Sequence, residues 1–181
     1  IYETIQIGNQ IWMAENLRTT RFRNGDAIPT GLTNNELQNT NDPAYVTLDE
    51  NFYGHHYNWF TFSDSRGLCP QGFRVPVPQD LTDLNSFLQG DAGKLKSTSA
   101  LWTPPNTGAS NTTGFTAEPA GQFRFNPAQF HDQGTNAIFW TSVENSSNGA
   151  THYGLSNVNS NLAIIQNQVK VALRSCRCIQ E

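Results

Sequence analysis

The side chains best able to do chemistry in this chain are four histidines, His55, His56, His131 and His152, and three cysteines, Cys69, Cys176 and Cys178. Adjacent His55 and His56 cannot both face one way in a strand, so they do not share a metal. They read as part of an aromatic-rich wall with one ring exposed. Cys69 with the Cys176-x-Cys178 pair would make a zinc site only if a histidine joined them. Asp and Glu are scattered, with no spacing that indicates a general acid/base pair. No catalytic residue, metal site or cofactor is therefore expected. For the thiols two readings stand. One is a long-range disulfide from Cys69 to a C-terminal cysteine, closing about 110 residues and worth up to ~4–5 kcal/mol in the chain-entropy picture. The other is three reduced, buried thiols. In the first, the odd cysteine is free or paired elsewhere.

The segment with the strongest binding character carries no charge at all. From Asn145 to Val169 there is no Asp, Glu, Lys or Arg, and six Asn stand among Ser, Gly and Gln. It opens after the apolar run Ala137-Ile138-Phe139-Trp140-Thr141-Ser142, which suits a buried strand. It closes on Val171-Ala172-Leu173. So many buried amides would need partners that one loop rarely supplies, so these side chains are expected to face water or a ligand. The candidate binding face is Asn145, Thr151, His152, Tyr153, Ser156, Asn157, Asn159, Asn161 and Ile164. Amides and hydroxyls offer paired donors and acceptors to a neutral partner, and the rings of His152 and Tyr153 give flat surfaces for stacking.

The elements that must hold this face are short. The 181 residues suffice for one domain, 1–181, with a real core. Charged residues make up 14% and the net charge is −4, which gives no basic footprint for nucleic acid. No apolar run approaches the ~20 residues that span a bilayer, so no direct membrane insertion is expected. No signal peptide is recognised, and Ile1 reads as the start of a mature or excised chain. Residues 4–13 read as a hairpin turning at Gly8-Asn9. Residues 29–51 read as a long loop with at most a short helix. The aromatic-dense stretch from Phe52 to Phe62 reads as core. Pro78, Leu81, Leu84, Phe87, Leu88 and Gly90 mark the one clear helix, near 79–89. Residues 103–114 form a surface loop. Val169, Val171 and Leu173 alternate in a last strand whose period breaks near Arg174-Ser175, where a bulge would repair it.

The chain resembles the Fibrobacter-type major paralogous domain of bacterial surface and secreted proteins. The resemblance is carried by Ile7-Gly8-Asn9-Gln10-Ile11-Trp12-Met13-Ala14-Glu15-Asn16-Leu17, Tyr53-Gly54 with Tyr57-Asn58-Trp59, Gly67-Leu68-Cys69-Pro70 and Gly72-Phe73-Arg74-Val75-Pro76. It continues in Ala92-Gly93-Lys94-Leu95-Lys96, Pro105-Asn106-Thr107-Gly108-Ala109 with Gly114-Phe115, Phe139-Trp140-Thr141-Ser142 and Arg177-Cys178. The chain departs from that pattern at Val77 and Pro78, where a polar cap and an acidic residue are usual, and at Leu81, Leu173-Arg174 and Cys176. The resemblance implies an α+β, irregular C-type-lectin-like domain of small antiparallel sheets and long loops, similar to the formylglycine-generating enzyme. It also implies a Cys69–Cys178 bridge with Cys176 spare.

Glu118-Pro119-Ala120 is only partly similar to the Glu-Pro-Asn motif of C-type lectins and lacks its amide, so no calcium-dependent site is expected. The uncharged polar face of residues 145–168 points to a non-catalytic binding module and, with the resemblance, to an adhesin-like domain, extracellular or at the cell surface of a bacterium or phage. Its partner is expected to be a glycan or protein. Related folds carry the variable regions of proteins diversified by retroelements, and the Asn-rich stretch fits such a variable protein. The alternatives are a structural fibre domain and an enzyme of the formylglycine-generating type.

Overall fold

The computed structural model describes residues 1–181. The first hairpin is β1 (Thr4–Ile7) and β2 (Gln10–Met13), paired Thr4 to Met13 through Ile7 to Gln10. Its turn holds Gly8 at φ +61°, a conformation side chains rarely adopt. Residues 29–51 carry more structure than expected: α1 (Asn34–Asn39), β3 (Tyr45–Thr47) and the start of α2 (Glu50–Tyr53). β3 pairs with β4 (His55–Tyr57), followed by α3 (Trp59–Ser63) and β5 (Phe73–Arg74).

The expected helix is α4 (Pro78–Phe87), with proline in its first turn. Val77 offers no capping side chain, so Asp80 does the work from within. Its carboxylate takes the Val77 N–H at 2.7 Å and holds Arg74 by two bonds of 2.7 and 2.8 Å. Leu81, Leu84 and Leu88 are buried, whereas Phe87 is exposed, as is Phe52. Phe52 belongs to the aromatic-dense stretch that reads as core, so its exposure is a correction.

A short 3-10 turn at Ala92–Leu95 leads into the surface loops. The hairpin β6 (Gln122–Phe125) and β7 (Ala128–His131) stands apart from the three-stranded sheet of β8 (Asn136–Ser146), β9 (Gly149–Ser156) and β10 (Ala163–Val169), in the order β10-β9-β8. The chain ends in β11 (Ile179–Gln180), which lies between β2 and β5 and so joins both ends of the chain in one sheet. The result is an α+β architecture of several small antiparallel sheets with one helix of length and long loops.

Alternation along β8 shows why Ala137–Trp140 is apolar throughout. Phe139 faces a cluster with Trp12, Leu81, Phe115 and Tyr153, while Trp140 faces another with Tyr57, Trp59 and the cysteines. Both faces of the strand are covered, so the usual polar half is absent. Trp12, Trp59, Phe139 and Trp140 are buried and Phe73 is half-buried.

The last strand is not continuous. β10 stops at Val169, and residues 173–175 instead make single bridges to Phe123, Tyr57 and Phe139. Three different neighbours compete for this segment's backbone groups, so no one ladder extends. His55 and His56 are both buried, not one of them exposed. His55 stacks on Tyr45 at 4.6 Å, and His56 lies 3.1 Å from the Ala120 carbonyl.

Cys69 and Cys178 form the disulfide, and Cys176 is a buried free thiol. Non-reducing peptide mapping should recover a Cys69–Cys178 link and a free Cys176. A Cys69→Ser, Cys178→Ser double variant should lose up to ~4–5 kcal/mol in denaturant melts, from the 109-residue separation it no longer closes. Cys176→Ala should leave the bridge in place.

Candidate functional site

The three-stranded sheet has two unlike faces. On one, Ala137, Phe139, Tyr153 and Leu155 belong to the core. On the other, the register sets Asn136 opposite Ser156, Ile138 opposite Gly154 and Trp140 opposite His152, while Ile165 pairs with His152 from β10. Trp140 is covered by the second core cluster. The rest of this face opens into a cavity of about 410 Å³. Its floor is low at Gly154, where a Cβ would come within 3.0 Å of the Ala137 carbonyl. The wall facing the sheet is the β6–β7 hairpin, which brings in Gln122 and Asp132.

Of the nine residues read as a binding face, four line this cavity: His152, Ser156, Asn159 and Asn161. The other five lie elsewhere. Ile164 is exposed but pairs with Tyr153, so it lies on the other face of the sheet. Asn145 is exposed near the far end of β8, where its side-chain oxygen accepts from the Thr151 hydroxyl at 2.8 Å and the Asn167 N–H at 3.1 Å. Thr151, Tyr153 and Asn157 are buried, against the expectation that they face water or a ligand.

The reason for that correction is that the uncharged stretch is a central strand with an edge strand, not one loop. β9 has ladder partners on both sides, and neighbouring segments satisfy the amides: Asn157 donates to the Thr103 carbonyl at 3.0 Å. Tyr153 stacks on Phe139 at 4.9 Å, its hydroxyl buried without a partner. The sequence reading missed Gln122, Asp132, Asn136 and Gln168. Their only signal is polarity beside apolar strand material, and no spacing joins them.

Behind the cavity lies Arg174, 1% exposed. Its guanidinium stacks 3.9 Å from the Trp140 ring, and its Nε donates to Gln122 Oε1 at 3.0 Å. It faces no carboxylate directly, and Nη1 has no partner. Burial pulls its pKa down to about 9, with Arg124 adding to this and Asp132 opposing it. Gln122 passes the charge outward, donating through Nε2 to Asp132 Oδ2 at 2.7 Å. His152 makes no hydrogen bond within the chain. Burial, and then the Arg174 charge, push its imidazole down to about 3. The ring therefore meets the cavity as a neutral group.

Lys96 holds the far rim. Its ammonium, fully buried, donates to the carbonyls of Thr107, Ser156 and Asn159 at 2.6, 2.9 and 3.0 Å. It thereby pins the loop that carries Ser156, Asn159 and Asn161. The three cysteine sulfurs lie within 4.8 Å of one another, but two are spent in the bridge and burial drives the Cys176 thiol far up, so thiolate ligands are not on offer there.

The class defined by this geometry is an α+β domain of small antiparallel sheets around a disulfide, with a polar cavity on one sheet whose lining carries one formal charge, Asp132. Residues 5–180 match the Fibrobacter succinogenes major domain, and the chain belongs to that family. No curated protein and no solved structure matches it.

Two predictions follow from these buried groups. Lys96→Met leaves three carbonyls without a donor, so it should cost more than ~2 kcal/mol and speed amide exchange across residues 156–161. The second concerns acid. His56 is pulled down by burial to about 4 and His152 to about 3, below the ~6.5 of an unfolded histidine. Between those values the unfolded chain binds protons that the folded chain refuses, so stability falls as pH drops and is flat above pH ~7. The loss between pH 7 and pH 5 should be about 2 kcal/mol per histidine. Denaturant melts at the two pH values check it, and His152→Gln should remove the share that His152 supplies.

Proposed function

We propose that this domain is a non-catalytic binding module, extracellular or at the cell surface, that takes a polar, uncharged glycan or protein group on the cavity face of β8, β9 and β10. The observation that carries this reading is the cavity itself. It joins side-chain amides from separate parts of the chain with the Ser156 hydroxyl, and has one formal charge among its lining side chains. Arrays of this kind fix the orientation of a ligand without requiring it to be charged. A non-catalytic role is supported by His152, which has no hydrogen-bonded nucleophile or orienting carboxylate. The disulfide supports an oxidising compartment.

The finer fold reading, a C-type-lectin-like domain, is supported by the last strand, β11, pairing with β2 of the first hairpin in one sheet and by the long loops outside it. Diversification by a retroelement is supported by the placement of Asn159 and Asn161 on the cavity rim. A template repeat and a reverse transcriptase beside the gene would test it.

A triple variant, Asn159→Ala, Asn161→Ala and Ile165→Ser, should fold within about 1 kcal/mol of the parent, because it alters exposed or half-exposed positions. Screened against immobilised glycans and purified surface proteins, it should lose at least ten-fold in affinity for whatever the parent binds. Undiminished binding by a folded triple variant would place the site elsewhere.

A further inference from the structure

We propose that the cavity binds a neutral sugar unit, with two neighbouring ring hydroxyls held by Asp132 and Asn136. This rests on the binding-module reading above and names the ligand class of the same site.

The first ground is the fixed setting of the Asp132 carboxylate. Asp132 is the single lining residue that carries a formal charge. Its Oδ2 accepts from Gln122 Nε2 at 2.7 Å and from Arg124 Nη2 at 3.4 Å. The Gln122 amide cannot turn over, because its oxygen is held by Arg174 Nε at 3.0 Å and Arg174 is itself buried against Trp140. The Asp132 backbone is fixed as well, its carbonyl accepting the N–H groups of Thr135 at 3.1 Å and Asn136 at 2.9 Å. Asp132 Oδ1 takes no hydrogen bond from the chain, and the side chain is 31% exposed. A rigid carboxylate with one oxygen left open wants a donor.

The second ground is what else lines the cavity. A hydroxyl donates one hydrogen and accepts from others, so it pairs with a carboxylate and an amide together. The side-chain oxygen of Asn136 and the whole amide of Asn161 make no bond within the chain, and both line the cavity. Ile138, Ile165 and the neutral ring of His152 give apolar surface for the C–H face of a pyranose. The volume of about 410 Å³ has room for one sugar unit or two, within the ~300–1,000 Å³ of small-molecule sites.

Charge decides between sugar classes. An acidic sugar would bring its carboxylate against Asp132, while Arg174 lies buried behind the wall, stacked on Trp140 and bonded to Gln122. An ammonium group would meet Arg124 and the Arg174 charge behind the same carboxylate. Only a neutral polyol uses the open acceptor without a like charge nearby.

The test is an array of neutral, sialylated, uronic-acid and amino-sugar oligosaccharides probed with the purified domain, followed by calorimetric titration of the best ligand. The expected result is a neutral oligosaccharide, with affinity lowered at least ten-fold by Asp132→Asn and at least three-fold by Asn161→Ala. Asn145→Ala, at the far end of the sheet, should bind as the parent does. Circular-dichroism melts check that each variant is folded. If Asp132→Asn does not fold, Asn161→Ala and Asn136→Ala decide the matter alone. A neutral sugar bound equally well by the folded variants overturns this site but leaves the module reading intact. An acidic or amino sugar as best ligand overturns the ligand class. A silent array overturns the sugar proposal altogether, and the module reading then stands or falls on the protein arm of the triple-variant screen.

Discussion

The guanidinium of Arg177 is the interaction on which the rest of the molecule depends. It is 1% exposed and sits where three distant pieces of chain meet. Nε reaches Asn16 Oδ1 at 3.1 Å, Nη1 bonds the Phe115 carbonyl, and the plane stacks over Phe115 at 4.4 Å. Burial lowers its pKa to about 10, so it keeps its charge at neutral pH. A buried charge is costly unless it is paired or hydrogen-bonded. Arg177 meets that condition only if the N-terminal strand, the 115–116 segment and the C-terminus all hold their places. Asn16 in turn donates to the Tyr53 carbonyl at 2.9 Å, which extends the constraint to α2. The disulfide one residue on, at Cys178, fixes the same junction covalently.

Lys96, Lys170 and Arg174 repeat the device with variations. Each is a cation at 5% exposure or less, bonded largely to carbonyls and amides. Lys170 alone has a carboxylate close by, Glu144 at 2.6 Å, and it also lies over the Trp59 ring at 4.6 Å. The preference follows from the architecture. Long irregular segments leave carbonyls that no ladder satisfies, and a buried carbonyl without a donor is costly. An ammonium or guanidinium supplies several donors from one side chain. A chain with few charges thus spends several of its cations inside, joining loops that have no regular structure to hold them.

The legibility of the sequence follows the range of the forces involved. The first hairpin, α4 and the buried β8 run are local patterns, and all three are read within a few residues. The Cys69–Cys178 bridge is legible through the family likeness, since spacing alone left the pairing open. What could not be read was set mainly by neighbours far away in sequence. The partner that satisfies buried Asn157 is the Thr103 carbonyl, 54 residues away. The break after Val169 comes from three segments bidding for residues 173–175. Phe52 shows the same limit in reverse, since the aromatic density of residues 52–62 gave no sign of which ring would be left outside.

The candidate site is legible only by half, and strand alternation is the reason. A run of uncharged polar residues looks uniform in one dimension. Folded as β9, it sends Thr151, Tyr153 and Leu155 to the core and His152, Gly154 and Ser156 to the opposite face, and a one-residue slip would exchange the two sets. Register is therefore what makes the cavity, and register is set outside the stretch. Phe139 stacked on Tyr153 and Trp140 opposite His152 lock β8 to β9. On β10 the register shifts between Ile165 and Gln168, with Asn167 at φ +56°, which ends the regular pairing at the point where Gln168 turns toward Arg174. The polar face is thus positioned by aromatic contacts on both faces of the same strands. Its chemistry is completed by Gln122 and Asp132 from a hairpin that shares no ladder with it.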